Sequence, residues 1–186
     1  ATTNKEIINQ LIYGAPEFNK VRILEGWNIK QIAGHLSYVM NFDSTNFIQL
    51  TNDKKILQKH GIKALSLEGY LYPDTYFFNE GDSPEFVLNH LIKSHKNIWN
   101  ESLLNRAKAL DLTHHEIVTL ASIIEGEAIY DIERPRISAV YHNRLNIGMR
   151  LQADPTIQFI IPDSPRRLLN RDLKIKSPYN TYLNQG

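Results

Sequence analysis

The sequence contains no cysteine. Disulfides, thiolate nucleophiles and cysteine-built zinc or iron–sulfur centres are therefore excluded, although a Cys-free chain suits reducing and oxidising compartments alike. An excess of one charge is also missing: 21 Lys and Arg stand against 20 Asp and Glu, a formal net charge of +1. Nucleic-acid binding draws most of its affinity from many clustered cations, so no nucleic-acid partner is expected. No run approaches the roughly 20 apolar residues of a membrane-spanning helix, and no charged-then-apolar leader opens the chain. Repeats, low-complexity blocks, phosphate-cradling glycine loops, a Gly-x-Ser-x-Gly elbow and a dinucleotide fingerprint are absent too. His114 and His115 are adjacent and His90 and His95 lie five apart, so neither pair has the spacing of two metal ligands on one helix face. Neither metal nor cofactor is expected.

What is present suffices for a globular protein: 186 residues, 42% of them hydrophobic, can hide roughly 70% of the unfolded surface. Ile7, Ile8, Leu11 and Ile12 predict a helix over Lys5 to Tyr13 ending at Gly14. A short strand over Val21 to Leu24, a turn at Glu25-Gly26 and a helix capped by Asn28 follow. Ser44 to His60 reads as two short helices closed by Gly61. The stretch Leu65 to Phe78, rich in aromatics but broken by Gly69 and Pro73, reads as strand, loop, strand. Ser83-Pro84-Glu85 predicts a helix start, with Phe86, Leu88, Leu91, Ile92 and Ile98 inward, and another helical pattern continues to Leu110. Thr113-His-His-Glu116 has the form of a capping box before a helix with Ile117, Leu120, Ala121 and Ile124 inward. Pro135 opens a helix ending at Gly148, with Ile137, Val140, Tyr141 and Leu145 inward. Met149 to Ile161 reads as strand, turn, then strand or short helix; Pro162 to Gly186 reads as loop. Helices around a small mixed sheet make the predicted class α+β.

The sharpest local chemical signal is Ser122-Ile-Ile-Glu125-Gly-Glu127. At about 100° per residue, Glu125 lies on the border of the apolar face and Glu127 about 160° away, so the two cannot share a proton. A carboxylate at the edge of a buried stripe loses hydration, which favours its neutral, proton-donating form. Gly126 costs about 1 kcal/mol against Ala in a helix and leaves room for a close neighbour. From residues alone, two surface acids near a helix end remain the weightier reading, by about two to one. Glu68-Gly-Tyr70-Leu-Tyr-Pro-Asp74 offers tyrosine faces with polar tips suited to sugars, and equally suits an aromatic core strand. Asn143-Arg144 and Arg150-Leu-Gln152-Ala-Asp154-Pro155-Thr156 gather amide, guanidinium and carboxylate groups around what is also simply a good turn pair. Arg166, Arg167, Arg171, Lys174 and Lys176, diluted by Asp163 and Asp172, read as a solvated face.

Taken in order, five segments resemble the signature blocks of the YceG-like endolytic murein transglycosylases. They are Val21-Arg-Ile-Leu-Glu-Gly-Trp-Asn-Ile-Lys-Gln-Ile-Ala33, Leu67-Glu-Gly-Tyr-Leu-Tyr-Pro-Asp-Thr-Tyr76, Ala121-Ser-Ile-Ile-Glu125, Asn143-Arg-Leu-Asn-Ile-Gly-Met-Arg-Leu-Gln-Ala-Asp-Pro-Thr156 and Ser177-Pro-Tyr-Asn-Thr-Tyr182. The resemblance implies an enzyme anchored in the bacterial inner membrane by an N-terminal helix, its remainder extracytoplasmic, with a LysM-like subdomain before an α+β catalytic domain. On this chain the implied division is a partial LysM-like subdomain over 1–40 and an incomplete catalytic domain over 41–186, with family elements missing at both ends. The implied reaction cuts nascent glycan between N-acetylmuramic acid and N-acetylglucosamine, leaves a 1,6-anhydro end and terminates glycan elongation, with a peptidoglycan synthase as a further partner.

The family's catalytic glutamate falls on Glu125. Glu68, Tyr70, Asn143, Arg144, Gln152, Asp154, Thr156, Tyr179 and Asn180 are implied as substrate-binding by the same blocks. A glycosidase usually flanks the bond with two carboxyl groups, whereas a transglycosylase can dispense with the second because the sugar's own 6-hydroxyl attacks. Two other readings stay open. One is a muramidase-type hydrolase in which Asp154 or Glu68 joins Glu125 to activate water, and the other is a non-catalytic glycan-binding scaffold module.

Overall fold

The computed structural model describes residues 3, 4, 8, 18–162 and 164–185. The helix expected over Lys5 to Tyr13 with its stop at Gly14, and Asp163 and Gly186, lie outside the described residues. The chain divides into two compact units, residues 1–102 and 103–186.

In the first unit, strand β1 (Phe18–Arg22) pairs antiparallel with β2 (Thr75–Asn79), Val21 opposite Tyr76 and Asn19 opposite Phe78. Between them run helices α1 (Ile29–Met40), α2 (Ser44–Thr51) and α3 (Lys54–Lys59). Helix α4 (Pro84–Ile98) follows. The caps that start these helices are the ones the sequence offers. Asn28 Oδ1 accepts from the Gln31 amide at 3.0 Å while Gln31 Oε1 accepts from the Asn28 amide at 3.0 Å, and Ser83 Oγ accepts from the Phe86 amide at 3.2 Å. Each removes an orphan N–H from a helix start.

One core unites these elements. Val21, Ile32, Ala33, Leu36, Phe47, Leu67, Phe78, Leu88, Leu91 and Ile92 are all buried. The α4 face is narrower than its pattern suggests, since Phe86 and Ile98 are exposed and Val87 takes an inward place.

Two expectations for this unit need correction. The sheet among the described residues is a two-stranded antiparallel ribbon rather than a mixed sheet, because the segment from Leu65 to Asp74 forms bends and turns instead of a first strand. Its amides are satisfied locally: Leu67 N–H donates to Thr51 O and Tyr70 N–H to Leu67 O, both at 2.9 Å. Gly69 at φ +81° turns the chain between them, a conformation closed to an ordinary strand residue.

The second unit holds α5 (Glu101–Ala109), which begins at the boundary, α6 (His114–Glu127), α7 (Arg134–Asn146) and α8 (Asp154–Ile160). Short 3₁₀ turns occupy Asp131–Glu133 and Asp172–Lys174. The capping box is present: Glu116 N–H donates to Thr113 Oγ1 at 3.2 Å, and Thr113 N–H donates to Glu116 Oε2 at 2.7 Å. Helix α6 buries Leu120 and Ile123 against Tyr141, Leu151 and Ala153. Ala121, expected inward, is exposed, because the partners of α6 lie on the Leu120–Ile123–Glu127 side. On α7 the expected Val140 is likewise exposed. The α+β class holds for the chain as a whole.

Candidate active site

The second unit brings three of the five sequence blocks together. Helix α6 packs against both α7 and α8, and the α6–α8 approach is made possible by Gly126. A Cβ built there would lie 2.7 Å from Pro155 Cβ and 2.9 Å from Pro155 Cγ. The close neighbour that Gly126 leaves room for is thus the first turn of α8. Pro155, read as a turn residue, instead opens a helix, where its missing N–H and fixed φ cost nothing.

The C-terminal segment staples the turn that precedes α8. Gln152 N–H donates to Thr181 O at 3.1 Å and Ala153 N–H to Thr181 Oγ1 at 3.0 Å. Thr156 and Thr181 hydroxyls meet at 2.9 Å, Arg150 donates to Tyr182 O at 3.1 Å, and Tyr182 Oη donates to Asp154 Oδ1 at 2.5 Å. Gln152 sits at φ +50° within this staple, a left-handed position that costs a side chain about 1 kcal/mol or more and persists because the surroundings over-determine it.

Glu125 is half-buried on α6, and its Oε1 accepts from Arg134 at 2.9 Å. Arg134 also reaches Asp131 at 2.9 Å, tying the first residue of α7 to the intervening loop and to the candidate acid together. That loop is held by Glu133, whose Oε2 accepts from the Ile129 and Tyr130 amides at 3.2 and 3.1 Å.

Glu127 enters a different set of neighbours. Tyr141, Arg144 and Asp154 all act on its charge. Although the residue keeps solvent access, partial burial of its carboxyl and the charge of Asp154 push its pKa above the usual carboxylate range. Burial and the same acids push Tyr141 and Tyr182 each up to about 12, which keeps both as hydrogen-bond donors. Glu125, where a carboxylate at the edge of the apolar stripe was expected, is the half-buried acid of the helix, and the exposed Glu127 is the one with a raised pKa. Its signal in sequence was its spacing: three and four residues separate Leu120, Ile123 and Glu127, one continuous helix face.

The other sequence candidates fall into distinct places. Asn143, Gln152, Asp154 and Tyr179 are exposed, Tyr179 with its ring 5.2 Å from that of Phe159. Arg144 is half-buried and bonds the Leu151 carbonyl. Thr156 is buried, bonding Ala153 O at 2.7 Å. Asn180 is fully buried: its Nδ2 donates to Leu173 O at 3.1 Å and Ile175 O at 2.7 Å, and its Oδ1 accepts from the Tyr182 amide at 2.9 Å. These last two side chains are occupied in holding the fold.

Glu68 and Tyr70 belong to the first unit. Glu68 accepts from the Ile29 amide at 3.2 and 3.3 Å, a carboxylate at the positive end of α1. Burial raises its pKa, opposed by that amide bond. Tyr70 is 3% exposed in the core, its ring 5.3 Å from that of His95. Sequence reasoning did not single out Arg134, Tyr141 or Tyr182. An Arg one helical turn after an acidic loop residue offers only a weak pairing signal, and a tyrosine in a core-facing position offers none for its hydroxyl.

Among the described residues no three His, Cys, Asp or Glu side chains cluster as a metal site. No helix among them is long and apolar enough to cross a membrane.

A family model described as the YceG-like family matches residues 1–186. The chain is 35% identical over 200 residues to the endolytic murein transglycosylase of Bacillus subtilis (strain 168), covering 97% of this chain and 54% of that protein. It is 32% identical over 126 residues to the endolytic murein transglycosylase of Streptococcus pneumoniae serotype 2 (strain D39 / NCTC 7466), covering 64% of this chain and 22% of that one. It thus spans about half the length of the Bacillus protein and less of the pneumococcal one. A 2.6 Å crystal structure of a yceG-like protein from Listeria monocytogenes superposes with a TM-score of 0.80 at 29% identity, covering 98% of this chain and 64% of that chain.

Proposed function

As the chain belongs to the YceG-like family, we propose that it is the glycan-cutting part of an endolytic murein transglycosylase. The observation that carries this reading is the 35% identity to the Bacillus enzyme across nearly the whole chain. The substrate is the nascent glycan strand of peptidoglycan, handed over by a peptidoglycan synthase, and the cut terminates elongation. The parent protein is anchored in the cytoplasmic membrane with this part outside. We assign the LysM-like role to the N-terminal part, and place its end at Ser102 rather than at residue 40, because the β1–β2 pairing and the core it shares with α4 would otherwise be split.

Glu125 is the acid and base of the cut. As a carboxylic acid it protonates the glycosidic oxygen, and the bond from that oxygen to C1 of N-acetylmuramic acid breaks. The N-acetylglucosamine side leaves with a free 4-hydroxyl. The 6-hydroxyl of the muramic residue then bonds to C1 and gives its proton to the Glu125 carboxylate. No water is consumed, and Glu125 returns to its starting form. Arg134, 2.9 Å from Glu125, supports this sequence by stabilising the carboxylate that exists between the two proton transfers. Asn143, Gln152, Asp154 and Tyr179 offer the exposed amides, carboxylate and ring that a sugar requires.

The test is Glu125→Gln in the full-length polypeptide, with cleavage products of purified glycan strands read by mass spectrometry. Loss of 1,6-anhydro ends is expected. Retained cleavage removes Glu125 from the mechanism, and reducing ends from the unsubstituted protein replace transglycosylation with hydrolysis.

A further inference from the structure

The connection between α6 and α7 is short and apolar, and it is exposed. Ile129 is 82% exposed, Tyr130 66% and Ile132 85%. Single exposed apolar residues are ordinary on a protein surface, but three among four consecutive positions mark a surface that meets something. Slack backbone is not what brings them out. Glu133 Oε2 accepts from the Ile129 and Tyr130 amides, the Glu133 amide donates to Tyr130 O at 2.9 Å, and the 3₁₀ turn Asp131–Glu133 carries the chain into α7. Arg134 then ties the loop to the candidate acid, with Nη1 on Asp131 Oδ1 and Nη2 on Glu125 Oε1, both at 2.9 Å. The Glu125 side chain is itself 31% exposed, so it is open to a ligand that lies along the loop.

We propose that Ile129–Ile132 is a glycan-binding rim of the active site, in which the Tyr130 ring takes the C–H face of a pyranose and Ile129 and Ile132 take the methyl groups of the acetamido substituents. The proposal rests on the reading of the chain as a murein transglycosylase with Glu125 as its acid. Its chemistry is that of the polymer. Both sugars of the strand present a C–H face that packs on an aromatic ring, and both carry an acetamido methyl that gains from apolar cover. A loop already fixed by its own hydrogen bonds loses little conformational freedom when the sugar arrives. The Arg134 link makes the rim and the acid one unit, so a sugar seated on Tyr130 is held in register with the proton donor. Charge speaks against a lipid surface as the occupant. Between residues 125 and 136 the acids Glu125, Glu127, Asp131 and Glu133 outnumber Arg134 and Arg136, whereas anionic membranes draw basic segments. A neutral sugar face is indifferent to that balance.

The experiment compares the full-length protein with Tyr130→Ala, Tyr130→Phe and the pair Ile129→Ser with Ile132→Ser. Kinetics are read on purified glycan strands, and each variant is also combined with Glu125→Gln so that calorimetry gives the Kd for uncut strands. Tyr130→Ala is expected to raise both KM and that Kd by about tenfold, the usual loss for an aromatic anchor, with kcat changed far less. Tyr130→Phe, which keeps the ring face, recovers most of the loss. The Ile pair lowers the ratio of kcat/KM for N-acetylated strands to that for chemically de-N-acetylated ones. Thermal unfolding midpoints stay level, since exposed side chains contribute little to stability. Unchanged KM and Kd in Tyr130→Ala overturn the proposal and leave the apolar rim to a protein or lipid surface. No recovery in Tyr130→Phe, an unchanged ratio in the Ile pair, or a KM loss that comes with a fallen unfolding midpoint also overturns it. Retained cleavage in Glu125→Gln instead overturns the assignment of the acid and leaves the KM values of the rim variants standing, so the two failures are told apart.

Discussion

Replacing Gly126 by alanine sets two effects of known size against each other. An alanine in a helix interior is favoured over glycine by about 1 kcal/mol, through lower backbone entropy in the unfolded chain. At position 126 the added Cβ meets Pro155 Cβ at 2.7 Å and Cγ at 2.9 Å. Non-bonded carbons settle at about 3.5–4.0 Å, so nearly 1 Å must be opened against a ring that cannot rotate away. Overpacking of this kind costs about 1–3 kcal/mol, which leaves Gly126→Ala destabilising by about 0–2 kcal/mol in spite of its better propensity. The matched control is Gly34→Ala in α1, where nothing lies within 4 Å of the new Cβ and the gain should appear in full.

Thermal unfolding followed by calorimetry reads both, at about 4–8 °C per kcal/mol for a unit of this size. The midpoint should rise for Gly34→Ala and stay level or fall for Gly126→Ala. Cleavage should fall in the second variant as well, because displacing Pro155 displaces Asp154. A Gly126→Ala protein stabilised as much as Gly34→Ala would refute the claim that α6 and α8 are in contact at this point.

Two further outcomes follow from buried polar groups. Asn180→Ala strips partners from the Leu173 and Ile175 carbonyls and the Tyr182 amide, and at about 1 kcal/mol each the loss is about 3 kcal/mol, measured by urea denaturation. Glu68 has its pKa raised above 4.5 by burial, so the native state binds its proton more tightly than the unfolded chain does. Stability from this group is present below pH 4.5 and declines as pH rises through the raised value. Glu68→Gln, which keeps an oxygen for the Ile29 amide, should flatten that decline in denaturation midpoints taken between pH 4 and 8.

The helix boundaries were the most legible part of the sequence, because caps act over three or four residues. Asn28, Ser83 and Thr113 each start the helix their side chains predict. The stretch from Leu65 to Asp74 misled, since β-forming aromatics were placed by burial rather than by pairing: Leu67, Tyr70 and Leu71 point into the core from turns. On α6 the pattern admitted two overlapping apolar stripes. Which one packs is decided by Leu151, Ala153 and Tyr141, residues whose proximity no local spacing encodes. For the same reason Glu125 could be singled out by its block, whereas the groups that act on Glu127 come from separate stretches. Arg134 became visible only when the loop from Ile129 to Glu133 brought α7 back against α6.

The staple of residues 177–185 onto the turn before α8 also has a consequence for the order of synthesis. Domains form as the chain emerges, and contacts close once both sides exist. The helix bearing Glu125 is complete about fifty residues before Thr181 is made. Until then the amides of Gln152 and Ala153 have no Thr181 to bond, and Asp154 has no Tyr182. A chain stopped short of that stretch carries the helix of Glu125 but not the bonds that hold Gln152, Ala153 and Asp154 in place. The shape of the turn before α8 therefore waits for the segment that locks it.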